Sequence, residues 1–204
     1  MRYLAAVAAI ALLGVQANAA TFDTFTESKA TAILSAAGGA NVKTEVIEGT
    51  TFISFDMDGL TYSSSLRLCD KDKTKGCLGL LLAVAFEADG TDSLEVINRF
   101  NTGAPFETAV KVDEKTIAFG RFVLASGGIE PANVAANLAV LKAAPSIYFE
   151  LKKSQIVASN GPGGSTTMLS QNARQIGPLR PVRLNQAQLR ILMNDAMATG
   201  IKLH

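Results

Sequence analysis

At 204 residues, the chain is long enough for one domain with a sizeable core that needs neither metals nor many disulfides. Its 19 basic and 18 acidic side chains nearly cancel, which argues against an electrostatic nucleic-acid binder. The lone histidine, His204, stands at the end of the sequence. No Ser-His-Asp or Cys-His arrangement can then be assembled inside a core, so the chain reads as non-enzymatic and no cofactor is expected.

Arg2, the apolar run Leu4 to Val15 and the triplet Ala17-Asn18-Ala19 form the pattern of a Sec-type signal peptide over residues 1–19, with cleavage between Ala19 and Ala20. An apolar run of about a dozen residues is shorter than the roughly 18–20 that span a bilayer, so no integral membrane span is expected after processing. The expected location is periplasmic or secreted.

Thr24-Phe25-Thr26-Glu27 fits a capping box with Thr24 as N-cap. It predicts a first helix with Phe25, Ala30, Ile33, Leu34 and Ala37 on one face, stopped by Gly38-Gly39. Val42 to Ile47, Thr51 to Met57 and Leu60 to Leu68 alternate like antiparallel strands, with Glu48-Gly49 and Asp58-Gly59 as turns. Leu78 to Phe86 is almost wholly apolar, which suits a central strand buried on both faces. Asp92 to Phe100 carries Leu94, Ile97 and Phe100 at three-residue intervals, a second helix ending at Asn101-Thr102-Gly103. Phe106 to Val112 and Thr116 to Leu124 form a further hairpin around Asp113-Glu114-Lys115.

Pro131 fits the first turn of a third helix with the stripe Val134, Leu138, Leu141, Ile147 and Leu151, which Pro145 must kink or split. Residues 20–159 thus make one domain. The Gly- and Pro-rich stretch 160–183 reads as a flexible linker. Asn185 opens a last amphipathic segment within 184–204, using Leu189, Leu192, Met193 and Ala196. The fold class is α+β: an antiparallel sheet flanked by helices, in the order α-β-β-β-β-α-β-β-α, plus a C-terminal linker and short helix.

Charge is uneven along the chain, with 13 basic and 17 acidic residues over 20–160 but five basic and one acidic over 161–204. The tail is expected to fold back on the body, reach an acidic partner or remain solvated. A further use of Asn185 to Leu203, lying on a membrane surface, has only Arg190 in its main helical stretch to attract lipid.

Cys69 and Cys77 face each other across the polar turn 70–76, where a disulfide can close the mouth of a hairpin. Export allows that oxidation; the alternative is a buried free pair. Asp70-x-Asp72-x-Thr74 mimics the start of a calcium loop, but Lys75 stands where glycine is required and Leu81 where the closing glutamate belongs. No metal site is expected there. Gly161-Pro162-Gly163-Gly164 lacks the lysine of a phosphate loop. The carboxylate pairs Asp56 with Asp58 and Glu45 with Glu48 leave an alternative open: a periplasmic small-molecule-binding protein or a carboxylate-dependent hydrolase. Their ordinary role is turn formation.

Three features together resemble the YbjN-domain family of bacterial sensory transduction regulators: the strand pair Leu66-Arg67-Leu68-Cys69 and Gly76-Cys77-Leu78-Gly79, the segment Val96-Ile97-Asn98-Arg99-Phe100-Asn101, and Gly127-Gly128-Ile129 before the third helix. The resemblance covers roughly Thr24 to Lys153. It implies a type III secretion chaperone-like fold and a regulatory or chaperone-like module that binds another protein or peptide. It also implies a homodimer supported by the second helix. An arginine and two amides on one helix make Asn98, Arg99 and Asn101 the candidate partner-binding residues; the alternative is that Phe100 is core and the asparagines cap the helix end.

Overall fold

The computed structural model describes residues 20–70, 76–104, 107–159 and 180–198. The expected signal segment 1–19 lies outside the described residues, and Ala20, the expected first mature residue, is exposed.

The first helix, α1 (Glu27–Ala36), starts two residues later than the capping box predicts, with Thr26 as N-cap accepting from the Lys29 N–H. The cause is a backbone bridge: the Phe25 N–H donates to the Cys77 carbonyl at 2.7 Å, and the Cys77 N–H returns to the Phe25 carbonyl at 2.8 Å. Those bonds hold Phe25 extended, so helix can begin only beyond it. Gly76 makes the approach possible. It sits at φ +89°, and a Cβ there would meet the Phe25 carbonyl oxygen at 2.9 Å.

Strands β1 (Ala40–Ile47), β2 (Thr50–Met57), β3 (Leu60–Cys69) and β4 (Cys77–Glu87) form an antiparallel meander. Its first two turns are two-residue turns with both central residues at positive φ, Glu48 at 50° and Gly49 at 77°, then Asp58 at 52° and Gly59 at 77°. This is the turn geometry whose twist matches that of paired strands. After α2 (Leu94–Gly103), strands β5 (Thr108–Asp113) and β6 (Thr116–Leu124) return, and β6 pairs with β4 to give the order β1-β2-β3-β4-β6-β5. Antiparallel α+β architecture is therefore what the chain adopts.

Helix α2 is capped by Ser93 and buries Val96, Ile97 and Phe100, while Leu94, expected on the apolar face, is 67% exposed. Helix α3 (Pro131–Ser159) runs unbroken through Pro145, so the proline does not split it. Pro145 forfeits the bond an N–H would make to Leu141, a loss of about 3 kcal/mol in an unsupported helix. Burial of Ala144 and Tyr148 on either side of the proline supports it. The buried stripe accordingly runs Val134, Leu138, Leu141, Ala144, Tyr148 and Lys152, and Ile147, expected within it, is 49% exposed because it falls one position off the helical repeat.

Helices α1, α2 and α3 cover one face of the sheet, where Phe25, Leu34, Ile53, Phe55, Leu80, Leu82, Phe100, Phe119 and Tyr148 form the main core. Phe100, Phe119 and Tyr148 meet edge to face, with centroids 5.3–5.7 Å apart. Among the described residues, no helix is long and apolar enough to cross a membrane.

The tail is the main departure from expectation. Pro181–Val182, placed by sequence inside a linker, form strand β7, which pairs with Phe86 and Ala85 of β4. β7 takes the place along β4 that β3 vacates beyond Tyr62, whose partner is Val84. Helix α4 (Gln186–Ala198) follows on the second face of the sheet. Both faces of β4 are thus covered, as its unbroken apolar run requires.

Candidate functional site

Two-residue alternation along β2 to β6 places Phe52, Ser63, Ser65, Gly79, Leu81, Ala83, Ala85, Ala118, Gly120, Phe122 and Leu124 on the face opposite the main core. Most of these side chains are small, so a helix can lie close to the strands. Leu184 and Leu192 of the tail are 7% and 3% exposed there, packed with Leu81, Ala83, Ala85, Val112 and Ala118, with Leu189 against the same cluster. A cavity of about 10 Å³, room for a single water at most, remains between Leu189, Leu192 and the strand residues Phe52, Ser63, Ser65, Leu81 and Ala83.

Asn185 caps α4 reciprocally: its Oδ1 accepts from the Gln188 N–H at 3.0 Å, and Gln188 Oε1 accepts from the Asn185 N–H at 3.0 Å. The Gln188 amide also donates to Asp113 at 2.7 Å and Thr116 at 2.8 Å, and Gln186 donates to Glu45 at 3.3 Å. Arg190 pairs with Glu48, and Arg180 with Glu87 at 3.9 Å. The described part of the tail, residues 180–198, therefore folds back onto the acidic body, the first of the three outcomes its charge allows. The hydrogen bond from Gln188, more than any other cause, holds the Asp113 carboxyl below its ordinary value.

The covered area ends toward the disulfide. Phe122 and Leu124 are 40% and 41% exposed, and the Phe122 ring lies over Gly79, where a Cβ would sit 2.4 Å from the ring edge. Cys69 and Cys77 are opposed in register and joined by a disulfide, with Cα atoms 3.8 Å apart. Residues 71–75, including Asp72 and Thr74 of the calcium-like motif, lie outside the described residues; among those described, no group of three or more His, Cys, Asp or Glu side chains could hold a metal ion.

The candidates on α2 separate by position. Asn101 is occupied internally: its Oδ1 accepts from the Ala109 N–H at 2.7 Å and its amide donates to the Ala109 carbonyl at 3.0 Å, clasping α2 to β5. Asn98 and Arg99 are exposed. The carboxylates do not converge. Asp56 accepts from Asn41 and Thr61, which hold it below its ordinary value, whereas Asp58 pairs with Lys142. Glu45 and Glu48 both face the tail.

One cluster carries more charge than the sequence suggests. Lys152 Nζ, 1% exposed, lies 2.8 Å from carboxylate oxygens of both Asp89 and Asp92, and Asp92 is itself 1% exposed. The Tyr148 hydroxyl donates to Asp92 at 2.9 Å, and the Asp89 N–H donates to the other Asp92 oxygen at 2.6 Å. Burial raises the Asp89 carboxyl, but hydrogen bonds from Lys152 and Thr91 outweigh it and hold the group below its ordinary value. Burial and then the Asp92 charge push the Tyr148 phenol up. Asp89-Gly90 reads as a plain turn; the available signal was a lysine placed within an apolar helical stripe, which needs an acidic partner wherever that stripe is buried. One ammonium serves two carboxylates here: Asp92 is buried and takes further hydrogen bonds from Tyr148 and the Asp89 N–H, while Asp89 is partly exposed, and together they fasten the β4–α2 connection to α3.

No family model, no curated protein and no solved structure matches the chain.

Proposed function

We propose that the chain is an exported, non-enzymatic binding module of YbjN-like character, which takes an amphipathic helix of another envelope protein on the sheet face that its own tail covers. The supporting observation is how the tail is held. Burying Leu184 and Leu192 is worth roughly 1.5–3 kcal/mol each. The exposed pairs of Arg180 and Arg190 add about 0–1 kcal/mol each. Ordering the tail opposes both contributions. A tail held by few deeply buried side chains and by exposed ion pairs covers the apolar face and can be displaced by a competing helix. The face is also built for a helix, with serine, glycine and alanine where larger side chains would hold one away. The disulfide supports an oxidising location, periplasmic or secreted. The α+β sheet and the Cys69–Cys77 hairpin are consistent with the family resemblance, from which the chaperone-like role is drawn.

The test uses the full mature chain and the variant Leu189→Asp/Leu192→Asp, which releases α4 without touching the main core. A fluorescent peptide of residues 180–198 should bind the variant in trans and the parent at least about tenfold more weakly, as expected for a face already occupied. Equal binding to both, or binding to neither while the variant keeps its circular dichroism and its disulfide, would remove the basis of the proposal.

A further inference from the structure

Strand β1 is the outer edge of the sheet: Val46 is 62% exposed, and Lys43, Thr44 and Glu45 are exposed as well. The turn at Glu48-Gly49 closes on Ile47 and Thr50. In a two-residue turn of this type the closing pair exchanges both hydrogen bonds, and pairs then alternate along the ladder. Ile47, Glu45 and Lys43 therefore spend their backbone groups on β2. Val46 and Thr44 direct theirs to the open side.

We propose that this edge pairs antiparallel with β1 of a second copy of the chain, two-fold about Thr44, to make one continuous sheet across the dimer. The register follows from charge. Only outward-directed residues can exchange bonds across the new ladder, and a ladder that uses the whole of 42–46 has its centre at Thr44 or within one residue of it. Centring on Glu45 sets glutamate against glutamate, and centring on Lys43 sets lysine against lysine. Centring on Thr44 sets Lys43 against the partner copy's Glu45 and Glu45 against its Lys43, two opposite-charge pairs on one face. On the other face Val46 meets Val42 of the second copy, twice over by symmetry, and Val42 already packs at the rim of the main core. Val46 thereby loses its exposure. The register irregularity between Ala40 and Lys43 ends the ladder at about five residues and limits growth beyond a dimer.

The test is reciprocal charge reversal on the full mature chain, read by sedimentation equilibrium. The parent should sediment as a dimer at micromolar concentration. Lys43→Glu and Glu45→Lys each place like charges opposite one another twice, and each should weaken the dimer about tenfold or more. The double variant Lys43→Glu/Glu45→Lys restores both pairs with reversed sign and should return the dimer to within about threefold of the parent. A monomeric parent at 100-fold higher concentration, or a double variant weaker than both single ones while its circular dichroism is unchanged, would overturn the proposal.

Discussion

Replacing Lys152 by methionine keeps most of the side chain's volume and removes its charge and the hydrogen bonds it donates to Asp89 and Asp92. Asp92, 1% exposed, then loses its cationic partner, and Asp89 loses the ammonium 2.8 Å away. The Tyr148 hydroxyl and the Asp89 N–H still donate to Asp92, so the loss is of charge compensation rather than of all hydrogen bonding. Removing one partner of a buried ion pair typically costs about 3–5 kcal/mol. At about 2–4 °C per kcal/mol for a chain of this size, the melting temperature should fall by on the order of 10 °C. Urea unfolding followed by circular dichroism at pH 7, without reductant, measures the effect. The parent's own dependence on pH has a definite sign. Asp89 titrates below its ordinary value of 3.8 when folded, so its contribution is present above that value and is lost as pH falls through the lower one. The variant loses the lysine's share of this contribution and keeps that of the Thr91 hydrogen bonds, so the gap between the two proteins should narrow in acid. Adding Asp92→Asn removes the stranded charge and should recover part of the loss. A cost under about 1 kcal/mol for Lys152→Met, or no recovery in the double variant, would refute the view of the cluster as a buried network held by Lys152.

Asn101→Ala frees both the N–H and the carbonyl of Ala109, and should cost about 1–3 kcal/mol by the same unfolding assay, with hydrogen exchange at β5 rising first. Replacing both cysteines by serine should cost roughly 2–3 kcal/mol, the value for closing so short a loop, and thiol labelling of the native parent should find both sulfurs masked. The Asp113 carboxylate is favoured by its bond from Gln188, so docking of α4 should weaken as pH falls through the lowered value below 3.8. Exchange protection of the α4 amides measured between pH 5 and 3 should then be lost before that of β4.

The sheet was legible because its signals are local. Glu-Gly and Asp-Gly dipeptides set the turns, alternation set the strands, and the doubly apolar β4 already implied a second covering layer. The helix of that layer was legible from Asn185, Leu189 and Leu192, but its docking place was not, because β7 is two residues long and rests on a pairing with β4 rather than on any pattern of its own. The N-cap moved from Thr24 to Thr26 for a related reason: a backbone bridge to Cys77, distant in sequence, overrode the capping box. At the candidate site, Gln186, Gln188 and Arg190 read as ordinary polar positions of an amphipathic helix, and their importance lies in Glu45, Asp113 and Glu48 across the sheet. Asn101 was visible as an unusual residue, but an amide that clasps a neighbouring strand and one that greets a partner look alike in one dimension.

The most direct test of a sheet face shared between tail and partner is photocrosslinking in intact cells from position 63, where Ser63 lines the cavity beneath Leu189 and Leu192. In the parent, crosslinks from this position should fall mainly within the chain's own residues 180–198. In the Leu189→Asp/Leu192→Asp variant they should pass to one discrete envelope protein, through a segment of that protein with amphipathic helical spacing. An unchanged internal pattern in the variant, or a partner captured equally by parent and variant, would contradict the account.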